Sequence, residues 1–145
     1  ILFFYFLYNF FALTPYQYTY LNKFNGNFSD SSKRFENDYW GVSIKELVNK
    51  IENNHVFAGN KNYKIAFCGI NYDIGSYYLS KISSLNFVET SKDGTYDYII
   101  MTNRHNGKDD DKIFEVKTCF DSYKGKNILS VERKGLVLST IVQKM

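Results

Sequence analysis

The sequence contains few of the residues that mark metal, redox or nucleic-acid chemistry. It has 1 Pro, 1 Trp, 2 Cys and 2 His among 145 residues. Neither the Cys nor the His residues have the spacing of zinc ligands, so we expect no metal site and no cofactor. The formal net charge is only +3, and the Lys residues are scattered, so we expect no nucleic-acid partner. The single Pro also argues against long disordered linkers.

The two cysteines, Cys68 and Cys119, permit one disulfide at most. Outside the cytoplasm they could pair if the fold brings them together. The other interpretation is two buried thiols, and this is the one that the sequence favours. The pairing stays open at this point.

The chain begins with an uncharged apolar segment, ILFFYFLYNFFAL, residues 1–13. A membrane span needs about 20 apolar residues, so this segment alone is too short. It could be the end of a longer transmembrane helix, the core of a signal peptide, or a buried helix of a soluble protein. It has no basic start, no small-residue cleavage pattern and no amphipathic face. We therefore expect residues 1–14 to be the end of a transmembrane helix.

An aromatic connector follows over residues 15–39. Pro15 should end the helix, because the residue before a proline is disfavoured in the α region. Tyr16, Tyr18 and Tyr20 then alternate with polar residues. This pattern is typical of rings at the lipid headgroup level, although an alternating strand would also produce it. Lys23 is the one basic residue between positions 14 and 32, which favours the extracytoplasmic side.

Residues 40–145 have the composition and patterning of one small folded domain. Ser43 and Glu46 predict a capping box at the start of a helix over 43–54, whose apolar residues fall on one stripe. A second helix is predicted over 73–83. Strands are predicted over 63–68, 87–89 and 96–102, with a closing hairpin of 113–120 and 127–133. The segment after Gly135 could be a further strand or a loose end.

The predicted fold class is therefore α/β. It is a small mixed β-sheet with two packed helices, preceded by the end of a transmembrane helix.

The strongest candidate site is a cluster of charged and aromatic residues just before the domain: Arg34, Glu36, Asp38, Tyr39 and Trp40. Aromatic faces stack on sugar rings, carboxylates accept hydrogen bonds from sugar hydroxyls, and Arg pairs with phosphate. The cluster could therefore bind a sugar or a lipid-linked phosphate. The alternative is structural. In that case Arg34 would pair with a carboxylate, and Asp38 would accept hydrogen bonds from backbone N–H groups before the helix. The rings of Tyr39 and Trp40 would pack against the base of the domain.

Other polar groups give weaker signals. No calcium-loop pattern surrounds the three consecutive aspartates, Asp109, Asp110 and Asp111, and we interpret this segment as a solvated loop. His55 and His105 are isolated, with no nucleophile nearby in the sequence. The segment 69–75 follows a strand and precedes a helix, but it lacks the three-glycine spacing of a dinucleotide site and reads as an ordinary turn.

Residues 14–48 resemble the C-terminal region of bacterial multi-spanning membrane glycosyltransferases, the protein-mannosyltransferase and aminoarabinose-transferase group. The resemblance is carried by PYQYTYLN, FNG and RFENDYWGVSIKEL. It is weaker at YDYIIMTNRH and at ILSV in the closing hairpin. In that family the last membrane span leads through such phrases to a small extracytoplasmic α/β domain.

The resemblance implies a membrane location, a polyprenyl-phosphate sugar donor and transfer on the extracytoplasmic side of the inner membrane. It also implies that the catalytic acid lies in an early loop outside this segment, so no residue here inherits a catalytic role. Two other classes remain open: a membrane-anchored pilin-like or binding module without catalysis, and a soluble domain whose first helix is buried.

Overall fold

The computed structural model describes residues 1–17, 38, 41–57, 61–104 and 117–145. In chain order the elements are α1 (Leu2–Leu13), α2 (Ser43–Asn53), β1 (Asn62–Cys68), α3 (Tyr72–Leu79), β2 (Asn86–Thr90), β3 (Tyr98–Thr102), α4 (Cys119–Ser122), β4 (Lys126–Arg133) and β5 (Leu136–Gln143).

The strands form one mixed five-stranded sheet in the order β2-β1-β3-β5-β4. Strand β1 runs parallel to both β2 and β3, and β5 runs antiparallel to both β3 and β4. Helices α2 and α3 pack on one face of this sheet through a shared apolar core. The prediction of a small mixed sheet with two packed helices is therefore confirmed.

Two apolar clusters lie on opposite faces of the sheet. In the larger one, Ile44 and Leu47 of α2 belong to the same cluster as Ile65 and Ile100 of the central strands. The smaller cluster includes Met101 and lies beneath α4. Every residue of β3 is buried. Successive side chains of a strand point to opposite faces, so the apolar run Ile99, Ile100 and Met101 predicts that both faces are covered, and this is confirmed.

Helix α2 begins at Ser43 as predicted, but its predicted capping box is wrong. Val42 occupies the N-cap position and supplies no side-chain cap. The Ser43 hydroxyl instead donates to the carboxylate of Asp38, and the Glu46 carboxylate accepts from Arg133. Tertiary partners have replaced the local reciprocal bonds of the capping box.

The predicted closing hairpin is also wrong. Residues 113–116 lie outside the described residues, and 119–122 form α4, which has a capping box between Thr118 and Asp121. Strand β4 pairs instead with β5, the segment that the sequence left undecided. The β4–β5 turn consists of Lys134 and Gly135, with φ values of 50° and 77°. Positive φ at both central residues is the geometry of a tight hairpin turn.

Two further expectations change in the structure. Helix α3 ends at Leu79 rather than at Ser83, although Ile82 still reaches the core. Cys68 and Cys119 form a disulfide with a Cα–Cα distance of 5.8 Å, so the expectation of two buried thiols is wrong. The Cys119 N–H also donates to the Arg104 carbonyl at 2.8 Å, which holds α4 beside the end of β3.

Helix α1 ends at Leu13, immediately before Thr14 and Pro15, as predicted. It spans 12 residues. Among the described residues, no helix has both the length and the apolar character needed to cross a membrane.

Candidate functional site at the helix–domain joint

Of the five residues predicted to bind substrate, the structure describes only Asp38. Arg34, Glu36, Tyr39 and Trp40 lie outside the described residues, as do His105 and the three consecutive aspartates, Asp109, Asp110 and Asp111. His55 lies in the exposed turn after α2, with a φ of 48°.

Asp38 is fully buried and holds the start of α2. Its carboxylate accepts hydrogen bonds from the N–H of Val42 at 2.9 Å and from the N–H of Ser43 at 3.0 Å. It also accepts from the Ser43 hydroxyl. These bonds satisfy N–H groups that a helix start leaves without intrahelical partners. The structural alternative is therefore what the structure shows for Asp38, and its role in substrate binding stays a prediction.

A charged cluster joins the end of α1 to the domain. The Arg133 guanidinium forms two hydrogen bonds to the Glu46 carboxylate, at 3.3 Å and 2.7 Å. The Tyr16 hydroxyl donates to the same carboxylate at 2.8 Å, and the Arg133 guanidinium lies 4.9 Å from the centre of the Tyr16 ring. The Arg133 Nε also donates to the Thr14 carbonyl at 3.5 Å. We call Tyr16, Glu46 and Arg133 the joint triad.

Electrostatics favour this arrangement of charges. Burial by itself would raise the pKa of Glu46, but hydrogen bonds from Arg133 and Tyr16 outweigh it and lower that pKa. Burial, with the hydrogen bond to Glu46, raises the pKa of Tyr16 far above its usual range. The triad therefore contains an ionised carboxylate, a guanidinium and a neutral phenol at neutral pH, and each is paired.

A second contact links α1 to the β4–β5 turn. The Lys134 ammonium donates to the side-chain oxygen of Asn9 and lies 5.1 Å from the centre of the Tyr8 ring. Asn9 is 6% exposed and Leu13 is 1% exposed, so this side of α1 is covered.

The joint lies at the same end of the sheet as the carboxyl ends of β1 and β3. Arg133 pairs with Leu136 at the β4–β5 turn, and β5 pairs Ser139 with Thr102, the last residue of β3. Gly41 lies before α2, and a Cβ placed there would be 3.8 Å from Ile70, just beyond β1. The carboxyl edge of parallel strands is where α/β proteins commonly bind ligands.

The turn after β1 is closely packed at this edge. Gly69 has a φ of 75°, and a Cβ there would lie 2.6 Å from the Thr102 hydroxyl oxygen. That hydroxyl donates to the Gly69 carbonyl at 2.8 Å. The Asn71 side chain then caps α3 by accepting from the Asp73 N–H at 2.8 Å. The segment therefore has the conformation of a strand-to-helix turn with a side-chain cap.

Sequence reasoning did not find the joint triad. The sequence predicts that Tyr16 lies at the level of the lipid headgroups, but Tyr16 is 1% exposed in the domain core. It predicts that Glu46 is half of a capping box and that Arg133 ends a strand. Glu46 and Arg133 are 87 positions apart, and no local pattern connects them. The one available signal was Tyr16, the first aromatic residue after the proline that ends α1.

The described residues contain no group of three or more His, Cys, Asp or Glu side chains that could hold a metal ion. In the comparisons with known proteins, no family model, no curated protein and no solved structure matches this chain.

Proposed function

We propose that this chain is the C-terminal accessory domain of a membrane glycosyltransferase that transfers a sugar from a polyprenyl-phosphate donor. In this proposal the domain faces the extracytoplasmic side of the inner membrane. The catalytic residues lie outside these 145 residues. The membrane part of the proposal rests on an apolar, largely exposed helix held beside one edge of an α/β domain, and the sugar-transfer part rests on the resemblance of residues 14–48.

The exposed surface of α1 supports a membrane contact. Phe3, Phe4 and Phe6 are 66%, 74% and 57% exposed, and Phe11 is 69% exposed. Contiguous apolar surface of this kind marks an interaction site on a protein or a membrane. Phe is among the residues that insert favourably into the hydrocarbon core of a membrane.

The disulfide supports the extracytoplasmic location. Disulfides persist in oxidising compartments such as the periplasm and are rare in the cytosol. Cys68 and Cys119 are almost fully buried, so their bond lies within the smaller core cluster.

The substrate-contact part of the proposal concerns the segment that ends at Asp38. We propose that Arg34, Glu36, Tyr39 and Trp40 contact the lipid-linked sugar. The Asp38 carboxylate already accepts hydrogen bonds from the start of α2, so in this proposal Asp38 positions the neighbouring residues. A guanidinium suits the donor phosphate, and aromatic faces suit the sugar ring.

Binding to reconstituted vesicles tests the proposal directly. Trp40 is the only tryptophan, so its fluorescence reports on the segment without a label. We expect a saturable change when the vesicles contain a polyprenyl-phosphate sugar, and a much smaller change with the free polyprenol. Arg34→Ala should abolish the difference. Lys144→Ala, at the far end of β5, is the matched control and should preserve it.

Equal responses to the two lipids would contradict recognition of a sugar phosphate and favour a membrane-anchored module without catalysis. A pilin-like form of that module has little support, because α1 ends at Leu13 and Thr14 is extended, with a φ of −58° and a ψ of 133°. In the full-length transferase, Trp40→Ala and Arg34→Ala should reduce sugar transfer while leaving expression intact. Equal loss of folded protein and activity would favour the structural alternative.

A further inference from the structure

Lys134, in the β4–β5 turn, contacts the side of α1 near the end of the helix. The Lys134 ammonium donates to Asn9 and lies over the Tyr8 ring, 5.1 Å from its centre. Asn9 is four residues before the end of α1, which is about 6 Å along the helix axis. The β4–β5 turn therefore lies beside the last turn of α1 and not beyond its end.

An ammonium group is costly inside hydrocarbon, and lysines near helix ends extend towards the headgroups. Because Lys134 is held beside Tyr8 and Asn9, these residues must lie where the ammonium remains solvated. Resting on the proposed membrane function, we propose that the bilayer surface crosses α1 at Tyr8–Asn9. The β4–β5 turn then lies in the headgroup layer, where Lys134 contacts anionic lipid phosphate.

Side-chain exposure over the first part of α1 agrees with this boundary, and the exposed rings of Phe10 and Phe11 then lie at headgroup level. The segment from Leu2 to Phe6 contains only apolar or aromatic residues, and each is exposed. Tyr8 is amphipathic and 68% exposed, and Asn9 is the first buried residue. An apolar segment, then a Tyr and then a polar residue is the order found on passing from hydrocarbon to headgroups.

Charge in the turn also favours an anionic surface. The guanidinium of Arg133 is already paired with Glu46, whereas the Lys134 ammonium donates to the neutral Asn9 side chain. Lys134 also adopts a φ of 50°, a conformation that Asn and Gly adopt more readily than Lys. Lys134→Asn therefore removes the charge and should keep the turn.

Depth-dependent fluorescence quenching tests the boundary. The full chain carrying Trp40→Phe receives one tryptophan, at Phe4 or at Phe11, and is bound to vesicles brominated either near the headgroups or near the chain ends. We expect the deep bromines to quench Phe4→Trp most strongly and the shallow bromines to quench Phe11→Trp most strongly. Cooperative unfolding of each variant is checked first.

Three other results would overturn the inference. Deep quenching at both positions would place the boundary beyond Phe11 and leave the proposed function intact. Shallow quenching at both would mean that α1 lies flat on the surface. No quenching at either position would remove the membrane contact, and the proposed function would fail with it.

A second measurement uses the native Trp40 and needs no reporter substitution. Partitioning is compared between pure phosphatidylcholine vesicles and vesicles that also contain phosphatidylglycerol. One lysine near an anionic surface changes the partition coefficient about five-fold. Lys134→Asn should lose that part of the preference for the anionic vesicles, while Lys144→Asn, at the far end of β5, should not. Equal effects of the two substitutions would overturn the contact with lipid phosphate.

Discussion

Arg133 and Glu46 are 87 positions apart in the chain, and their side chains meet at 2.7 Å. The pair joins the last residue of β4 to the first turn of α2, and Tyr16 connects the end of α1 to the same carboxylate. The joint triad therefore ties the segment just after α1 to both β4 and α2, in addition to the separate contact between Lys134 and Asn9.

Glu46→Gln should destabilise the fold by about 1–3 kcal/mol, because it removes the charge from a forked hydrogen-bonded pair. Urea unfolding of the full chain measures the change. Glu52→Gln is the matched control, since Glu52 lies on the exposed face of the same helix. An equal effect of both substitutions would show that the joint triad adds nothing beyond an ordinary surface charge.

The contribution of Glu46 should also depend on pH. The folded pKa of Glu46 is lowered below its ordinary value of 4.5 by Arg133 and Tyr16, although burial opposes this. A lowered folded pKa gives stability that is present above the ordinary value and is lost as pH falls through the folded value. The difference in unfolding free energy between the native chain and Glu46→Gln should therefore be constant near neutrality and shrink in acid. A difference that grows in acid would contradict this assignment.

Asp38→Ala should destabilise the domain by about 2–4 kcal/mol, since two backbone N–H groups and a buried hydroxyl lose their acceptor. Asp38→Asn keeps one carbonyl oxygen and should cost less. Asn71→Ala, which removes the exposed cap of α3, should cost about 1 kcal/mol. Thermal unfolding measures all three. If Asp38→Ala unfolds like the native chain, Asp38 is not the residue that holds α2.

Reduction of the disulfide should lower stability by about 2–4 kcal/mol, because the bond closes a loop between residues 51 positions apart. Unfolding with and without reductant measures this, and a Cys68→Ala, Cys119→Ala double variant should match the reduced chain. A reductant effect that persists in the double variant would have another origin.

The sequence predicted those parts of the fold that depend on local periodicity. The apolar stripe of α2 and the buried run of β3 were identified, because one element's pattern is visible without its neighbours. The sequence does not decide whether the β5 segment is a strand, and it predicts the wrong partner for β4. Short apolar runs specify burial but not the strand beside them.

Less of the candidate site than of the fold could be predicted from the sequence. Asp38 was named, and one of its two proposed roles is seen in the structure. The pairing of Glu46 with Arg133 was missed, because a capping box explained Glu46 locally and nothing in the sequence indicated a distant cation. The disulfide was missed for a similar reason, since the distance between Cys68 and Cys119 depends on where α4 returns to the sheet.

Gly75→Ala should improve the helix propensity of α3 and worsen its packing against the sheet. Alanine within a helix is favoured over glycine by about 1 kcal/mol, but a Cβ at position 75 would lie 2.7 Å from Cδ1 of the Phe67 ring. Overpacking of a core costs about 1–3 kcal/mol, so we expect a net loss of stability in urea unfolding. In a Phe67→Leu background the ring is absent, and the same substitution should become neutral or stabilising. A loss of equal size in both backgrounds would show that the ring of Phe67 is not what requires glycine at this position of α3.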